Sequence, residues 1–583
     1  MRSAAVPGAE EPEAPWLPWL RRLQGGFGAS AATVRSALAL HIVWLVLLGL
    51  AFAAPAWVML HEAGVFWQHA RGSVADPVQL DYGESPLLAQ AVQWLHGQQI
   101  YHNDAAPPFT VGNYTPIFTW ATAAVAALWT GVRMGAGRAV SAAGCFLTAL
   151  AIAGCTWESA SLPLLWPRRG SRPRGALHVP WGLRLALACF SGGVYLSARY
   201  VWSWGILGRV DALAVGFSMA GVWWTLRAGY RPADRGRDRL WLAGLLFMCA
   251  VYTRQDVVEG AVASIAGLAL YDWRRALRLA AWTAGLCAAM GALLLATSHG
   301  QFYIQVFLYN ENHFSWGTVR SAWLQWLQGS GGGVLLRIAI AGALIWLLSG
   351  GQVSAGLLLG LTLLTSATVG KIGSSINYFL PLLAACAWCT GLLGLRAAGL
   401  AAGGPWVLKW LGLAVPALFL TWATAVLPWW AVPFGHLSPA YGRFLERSAS
   451  STQTLRHTAR SWGGTAGGRV SPQWSQLIAL VAAAPGPVVS EDMSFVVLAG
   501  RPLAFQPFEL TQASEDGHWD QNLFVQRLLN GDYALVILPV NVLSPHAGLD
   551  LSRWSPAMYA AVRQAYTVDT VLAGQFVYTP TVQ

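Results

Sequence analysis

Hydrophobic residues in this chain of 583 residues are gathered in long runs with hardly a charge inside them. Runs of about 20 apolar residues are typical of helices that cross a lipid bilayer. The pattern predicts eleven spans, namely Ala37–Leu60, Arg138–Trp157, Trp181–Trp202, Val210–Leu226, Leu240–Tyr252, Val257–Tyr271, Ala276–Thr297, Val334–Leu348, Ser354–Val369, Ile376–Leu395 and Val407–Leu427. Several of these runs are short for a hydrocarbon core of about 30 Å.

The distribution of arginine predicts the orientation of these spans. Three loops carry clusters of it: Arg168, Arg169, Arg172 and Arg174; Arg227, Arg231, Arg235, Arg237 and Arg239; Arg274, Arg275 and Arg278. Loops of this kind remain in the cytoplasm. All three are cytoplasmic, together with a tail of residues 1–36, only if one further apolar run, Tyr114–Val132, does not cross. We interpret that run as an interfacial or re-entrant helix in a first outer loop of residues 61–137.

The odd number of spans places the C-terminus outside the cell membrane. After residue 427 the sequence becomes more polar, with nearly balanced charge. Short apolar segments at 487–490 and 533–539 predict buried strands, and 473–484 and 521–529 predict helices. Residues 428–583 are therefore expected to form a small α/β domain outside the membrane, following a transmembrane domain of residues 37–427.

Composition excludes an ordinary soluble protein, because 55% of the residues are hydrophobic and 11% are charged, against roughly a quarter charged in soluble domains. The 32 Trp residues fit a bilayer protein with many interface anchors. The net charge of +11 lies largely in the short loops, so no nucleic-acid partner is expected. The seven Cys lack metal-binding spacing. These features predict a multi-pass protein of the inner (plasma) membrane.

A pair of carboxylates follows the first span, in the segment Leu80-Asp81-Tyr82-Gly83-Glu84-Ser85-Pro86. One member, Asp81 or Glu84, could deprotonate an acceptor hydroxyl, or both could hold a metal ion. The predicted topology brings further polar residues to the same outer face: Arg209, Asp211, Arg254, Gln255, Asp256, Glu259, Asn310, Glu311, Asn312, His313, Lys371, Asn377 and Tyr378. Carboxylates and cations on one face suit a substrate that bears a phosphate.

Each of these residues also has a plainer structural interpretation. Asp81 could be a helix N-cap, and Lys371 could extend its ammonium group to the lipid headgroups. Arg209 could pair with Asp211, and Arg254 could pair with Asp256, without any role in function. Glu311 and His313 could be ordinary loop residues.

In the order and spacing of these motifs over residues 37–430, the chain resembles the GT-C glycosyltransferases. That superfamily includes the protein O-mannosyltransferases and the aminoarabinose transferases of lipid A (glycosyltransferase family 39-like). The resemblance lies in Asp81–Glu84, Asn113-Tyr114-Thr115-Pro116, Arg138, Arg209-Val210-Asp211, Tyr252-Thr253-Arg254-Gln255, and Lys371 with Asn377-Tyr378-Phe379-Leu380-Pro381. Two details depart from the family pattern: Asp81 and Glu84 are not adjacent, and Arg254 stands where relatives have Lys.

The resemblance implies an inverting transferase that moves a sugar from a polyprenyl-phosphate carrier to a glycan, lipid or protein acceptor at the outer face. Asp81 and Glu84 are then the catalytic candidates, with the base left open between them. Lys371, Arg254 and Arg209 are the candidates for binding the donor phosphate. Other implied site residues are Arg138, Asp211, Gln255, Asn310, Glu311, His313, Asn377, Tyr378 and Tyr114. A divalent ion (Mg²⁺ or Mn²⁺) held by the two carboxylates is optional.

Two other kinds of protein, a transporter and a membrane scaffold, are alternatives to this enzyme. A transporter or flippase of lipid-linked sugars should show broken or polar segments near mid-membrane and internal repeats. The charges here lie at the ends of the spans and no repeat is evident, which favours the enzyme. A membrane scaffold whose outer domain binds a partner is the third alternative.

Overall fold

A computed structural model describes residues 31–162, 179–230, 239–329, 332–403, 406–426, 471–546 and 548–581. The part before residue 427 is helical, and each predicted span overlaps a helix. The helices are α1 (Ala31–Ala75), α2 (Glu84–Leu95), α3 (Ile117–Val125), α4 (Met134–Ser159), α5 (Trp181–Leu196), α6 (Arg199–Ser203), α7 (Asp211–Gly229), α8 (Leu240–Val251), α9 (Glu259–Ala269), α10 (Trp273–Thr297), α11 (Gln301–Val306), α12 (Trp316–Gly329), α13 (Gly332–Leu348), α14 (Ser354–Thr365), α15 (Leu380–Gly403) and α16 (Trp406–Val426).

The apolar helices are those of a membrane protein, but their lengths vary. Within the described ranges, four are long and apolar enough to cross a membrane, or five if the bent pair α12 and α13 counts as one span. Other predicted spans are shorter, because the chain breaks near their ends. The run Trp181–Trp202, for example, divides into α5 and α6. The number of eleven crossings therefore stays a prediction.

The first helix continues beyond the predicted end of its span at Leu60 and reaches Ala75. The beginning of the predicted outer loop 61–137 is thus the end of α1, and the loop itself contains α2 and α3. After α3 the chain makes one π-helical turn, Ala126–Thr130. At 1.5 Å per residue, α3 and this turn extend about 21 Å, less than a hydrocarbon core. Other predicted spans correspond to helices that are as short, so the interpretation that this run does not cross stays a prediction.

Close packing of α4 against α7 fixes the place where the site forms. A Cβ atom on Gly144 would lie 2.6 Å from the backbone of Ala212 and Leu213, so only glycine lets the two helices approach this closely. The first turn of α7 carries Asp211. The packing therefore holds Asp211 beside the N-terminal half of α4.

The chain after residue 470 forms an α/β domain, as predicted; residues 428–470 of the predicted domain lie outside the described ranges. Its strands are β1 (Val488–Ser490), β2 (Leu535–Leu538), β3 (Tyr566–Leu572) and β4 (Gln575–Pro580), and its helices are α17 (Pro472–Ala483), α18 (Ser494–Leu498), α19 (Pro507–Glu515), α20 (Asn522–Leu529) and α21 (Pro556–Ala565). The sheet order is β1-β2-β4-β3, with β1 and β2 parallel and the other pairs antiparallel.

This C-terminal domain shares its hydrophobic cores with the helical part. Phe109, from the loop before α3, stacks edge-on against Trp519 and Phe524. Its backbone N–H donates to the carbonyl oxygen of Ala504 at 3.0 Å, and its own carbonyl accepts from the N–H of Gln506 at 3.0 Å. The domain is therefore seated on the loops that lead into α2 and α3, where the candidate site residues lie.

Candidate functional site

Glu84 forms a buried ion pair with Arg138 of α4. The Nε and Nη2 atoms of Arg138 donate to the two Glu84 oxygens at 2.8 and 2.7 Å, and both side chains are almost completely buried. The backbone N–H groups of Gly208 and Leu80 add further bonds at 2.7 Å. Burial alone would raise the pKa of Glu84, but the charge and hydrogen bonds of Arg138 and the backbone donors outweigh it, so this pKa lies below its ordinary value. Glu84 is thus an ionised carboxylate whose two oxygens both accept hydrogen bonds.

Asp81 is in a different environment from Glu84. Its Oδ2 accepts from the backbone N–H of Gly83 at 2.9 Å and from Nη1 of Arg209 at 3.0 Å. No donor from the described part of the chain bonds to Oδ1, and 17% of the side chain is exposed. Arg209 also donates to the Tyr114 hydroxyl at 3.1 Å. Asp81 therefore keeps one carboxylate oxygen available beside a cation.

Glycine at position 83 is what allows this arrangement. Its backbone has ordinary helical angles (φ −78°, ψ −2°), so any residue could adopt its conformation. A Cβ atom, however, would lie 1.2 Å from Nη1 of Arg209. The glycine between the two carboxylates thus makes room for the guanidinium group that pairs with Asp81.

A second buried network joins Asp211 to Arg254. The Asp211 carboxylate accepts hydrogen bonds from Arg254, from the Asn377 amide at 2.9 Å and from the Trp204 indole at 2.7 Å. The other side of the Arg254 guanidinium forms two bonds of 2.8 and 2.9 Å to Asp256. Three separate segments of the chain, around residues 204–211, 254–256 and 377, meet at this network, and most of its polar atoms have hydrogen-bond partners. The predicted pairing of Arg254 with Asp256 exists, whereas Arg209 pairs with Asp81 rather than with Asp211.

Other predicted residues surround these two networks. The Tyr378 ring lies 4.2 Å from the Arg254 guanidinium carbon. Gln255 and Asn310 both donate to the carbonyl oxygen of Asn113, at 3.4 and 2.9 Å, next to Tyr114. The structure thus places Tyr378 beside the second network, and Gln255 and Asn310 next to Tyr114.

Glu311 and His313 point instead to the C-terminal domain. His313 lies 3.4 Å from Asp516, and Glu311 lies 3.8 Å from His518. Both predicted residues are largely exposed, at 64% and 73% of their side chains. This position fits the plainer interpretation of the two as loop residues that contact a neighbouring domain.

Lys371 begins the turn between α14 and α15. It bridges to Phe314 through the backbone and is half-buried. No carboxylate of the described residues lies within ion-pair distance of its ammonium group. Of the three predicted phosphate ligands it is the one without a protein counter-ion in those ranges.

The C-terminal domain brings side chains that sequence reasoning missed. Glu509, in the first turn of α19, lies close enough to Arg209 and Arg553 for their charges to act on it. Burial raises its pKa above the ordinary value, and its Oε2 has no hydrogen-bond partner in the described part of the structure. The Arg553 guanidinium carbon lies 4.3 Å from the centre of the Tyr82 ring. A carboxylate in the first turn of a helix was the available signal, and it is weak.

The optional divalent ion does not fit these residues. In the described ranges no three His, Cys, Asp or Glu side chains come together as a metal-binding group. Both oxygens of Glu84 accept hydrogen bonds from Arg138, and an ion would have to replace that cation. Each of the two carboxylates has its own arginine partner: Arg138 for Glu84 and Arg209 for Asp81.

The apolar helices are typical of a membrane protein, and an α/β domain lies over a cluster of carboxylates and cations; this fold is similar to that of a solved aminoarabinose transferase. The solved structure of ArnT from Cupriavidus metallidurans bound to undecaprenyl phosphate aligns with a TM-score of 0.56 and 15% identity over 90% of this chain and 98% of that one. ArnT is an aminoarabinose transferase. Its apo structure gives a TM-score of 0.54 and 17% identity over 91% and 100%.

Similarity to an oligosaccharyltransferase from Archaeoglobus fulgidus is weaker, with a TM-score of 0.46 and 10% identity over 89% of this chain and 74% of that one. No protein-family model matches the chain. No curated protein matches it in sequence either.

Proposed function

We propose that the chain is an inverting glycosyltransferase that takes a sugar from a polyprenyl-phosphate carrier and transfers it to an acceptor hydroxyl at the outer face of the inner membrane. The observation that carries this proposal is the pairing of Asp81 with Arg209, which leaves one carboxylate oxygen available within a cluster of cations. The same fold in ArnT was solved with undecaprenyl phosphate bound. The comparisons give no support to a transporter or flippase.

Asp81 is assigned as the general base. Its Oδ1 takes the proton of the acceptor hydroxyl as the hydroxyl oxygen attacks the anomeric carbon from the face opposite the carrier. The bond from that carbon to the phosphate oxygen breaks, and polyprenyl phosphate leaves with the electron pair. Glu84 is not suited to the step, because both its oxygens are occupied by Arg138 and backbone donors.

Lys371 is assigned to the donor phosphate. A half-buried lysine whose ammonium group has no protein counter-ion in the described ranges gains most from an anionic ligand, through charge-assisted hydrogen bonds. Arg254 is already held by Asp211 and Asp256, so it supports the site rather than binding the phosphate. Arg209 has an unpartnered Nε and is the second candidate.

The decisive test uses a strain that lacks the protein. Mass spectrometry of its lipid extract should reveal an accumulated polyprenyl-phosphate sugar, which identifies the donor. Purified protein in nanodiscs should then release polyprenyl phosphate from that lipid. Asp81→Asn should lower the turnover at least about 100-fold, and Lys371→Ala about 10- to 100-fold, equivalent to losing roughly 1.5–3 kcal/mol of interaction.

The matched controls are substitutions of exposed residues outside the two networks, such as Glu515→Gln and Arg274→Gln. They should retain wild-type turnover. If no lipid-linked sugar accumulates and the purified protein releases no polyprenyl phosphate, the chain is not this kind of transferase. If Asp81→Asn turns over like the wild type, the base is another group.

A further inference from the structure

The segment that carries Asp81 is held by the C-terminal domain at two positions. The first is Tyr82, the neighbour of Asp81. Its hydroxyl accepts a hydrogen bond from the backbone N–H of Phe508 at 3.1 Å, and the guanidinium of Arg553 stacks on its ring. The C-terminal domain thus contacts both the hydroxyl and the ring of Tyr82.

The second position is Gln79, two residues before Asp81. Its amide nitrogen donates to Asp492 at 3.3 Å, and its oxygen accepts from Ser85 in the same segment. Asp492 also accepts from the N–H of Ser494, the first residue of α18, at 3.0 Å. The contacts from the domain therefore flank Asp81 on both sides.

Arg553 is itself fixed within the C-terminal domain. It donates to Glu491 at 3.1 Å and lies 3.4 Å from Asp550. An arginine with two carboxylate partners has little rotational freedom left. The Tyr82 ring consequently rests on an ordered group rather than on a mobile surface side chain.

Phe508 connects this contact to the turn that contains Lys371. Atoms of its ring lie 2.9–3.0 Å from the position that a Cβ on Gly373 would occupy. The ring also packs edge-on against Tyr82, with centroids 6.5 Å apart. One residue of the C-terminal domain therefore touches both the segment of the proposed base and the turn of the proposed phosphate ligand.

We propose that the C-terminal domain is part of the catalytic apparatus, and that Tyr82, Phe508 and Arg553 are positioning residues which hold Asp81 at its working distance from the Lys371 turn. This inference rests on the proposed function. On this proposal the C-terminal domain takes part in every turnover by positioning Asp81, and its role is not confined to binding a partner.

Hydrogen exchange tests the coupling without any substrate. In nanodiscs, Arg553→Gln should speed exchange in the peptide that spans residues 79–85 at least tenfold, because the backbone amides of Leu80, Asp81 and Gly83 are bonded within that segment. Tyr82→Phe keeps the ring but removes the hydroxyl that accepts the Phe508 N–H. It should speed exchange both at the Phe508 amide and in residues 79–85. It serves as the second variant if Arg553→Gln fails to fold.

The matched control is Arg501→Gln. Arg501 is an arginine of the same domain that donates to the carbonyl oxygens of Ala484 and Gly486 at 2.6 Å, without a contact to residues 79–85. This variant should leave exchange in that peptide unchanged. Wild-type protection of residues 79–85 in both Arg553→Gln and Tyr82→Phe overturns the proposal.

Turnover on the lipid extract of a strain that lacks the protein tests the link to chemistry. Tyr82→Phe should lower kcat about tenfold and leave the donor KM within about twofold. In an Asp81→Asn background the same change should have less than a twofold effect, because a residue that acts through Asp81 adds nothing once Asp81 is gone. Equal effects in both backgrounds, or no effect on kcat, overturn the positioning role. Wild-type turnover of Asp81→Asn alone instead contradicts the proposed base.

Discussion

At the scale of single residues, two carboxylates three positions apart serve different purposes because of what surrounds them. The sequence indicates that the pair matters but leaves open which member is the base. Glu84 is satisfied by an arginine that lies 54 positions away in the chain, a partner that no local pattern identifies. The assignment of Asp81 as the base therefore depends on hydrogen-bond partners that only the folded chain supplies.

Replacing Glu84 should chiefly affect stability. Glu84→Gln leaves the buried guanidinium of Arg138 without a counter-charge, and breaking such a pair costs about 3–5 kcal/mol. We expect a much reduced yield of folded protein and a lower midpoint of thermal unfolding in detergent. Glu311→Gln, at an exposed carboxylate, is the control and should change neither. A Glu84→Gln protein as stable as the wild type but inactive would instead make Glu84 the catalytic carboxylate.

Gly83→Ala should separate stability from activity. The added methyl group meets only the tip of the Arg209 side chain, which can swing away, and the backbone angles suit alanine. We expect a thermal midpoint within a few degrees of the wild type and a turnover about tenfold lower, because Arg209 can no longer reach Asp81. Gly64→Ala adds a methyl group to open space and should retain full activity. Wild-type turnover of Gly83→Ala would show that the Arg209–Asp81 pair is dispensable.

At the scale of secondary structure, long apolar runs were sufficient to predict helices, whereas short elements were harder. The buried strands β1 and β2 were predicted because each is a continuous apolar segment bounded by Pro or a polar residue. The hairpin of β3 and β4 was missed, although the residues of β3 after Tyr566 alternate between exposed and half-buried positions. Its turn, Ala573-Gly574, requires two residues with positive φ, a signal that is weak without a strand already recognised on each side.

Two buried carboxyl groups that follow β1, Glu491 and Asp492, should make the stability of the C-terminal domain depend on pH. Burial raises the pKa of Glu491 to about 7, although Arg553 opposes this shift, and burial raises that of Asp492 to about 6. The folded domain thus retains protons that the unfolded chain releases near pH 4, so the contribution of these two groups to stability is fully present below about pH 4 and is lost as the pH rises to about 7. We expect the thermal midpoint to fall between pH 5 and pH 8, and Glu491→Gln to reduce that fall.

The control for this prediction is Glu515→Gln, at an exposed carboxylate of the same domain. It should show the same fall as the wild type. Asp492 remains in the Glu491→Gln protein, so part of the dependence should persist. An unchanged slope in Glu491→Gln would mean that this carboxylate stays ionised in the folded domain.

At the scale of the whole molecule, the site is assembled from segments that lie hundreds of residues apart. Charge at the ends of the apolar runs predicted which face they share, and the two networks around Asp81 and Asp211 agree with that prediction. The contributions of Phe508 and Glu509 could not be predicted, because they depend on how the C-terminal domain packs against the loop before α3. That packing follows from side-chain shape, such as the fit of Phe109 between Trp519 and Phe524.

The arrangement of the helix ends also bears on the predicted orientation in the membrane. Opposite to the site, Glu158 at the end of α4 lies 3.6 Å from Arg227 at the end of α7, and Arg275 of α10 donates to the carbonyl oxygen of Gly229 at 2.8 Å. The helix ends that carry Glu158, Arg227 and Arg275 thus lie together, opposite to the site. Since the charge of the Arg-rich loops predicts that they are cytoplasmic, we expect the C-terminal domain to face outward. In a protein without native cysteines, a membrane-impermeant maleimide should label Ser552→Cys in intact cells. It should label Arg274→Cys only after permeabilisation, and the reverse pattern would invert the topology and place the proposed chemistry in the cytoplasm.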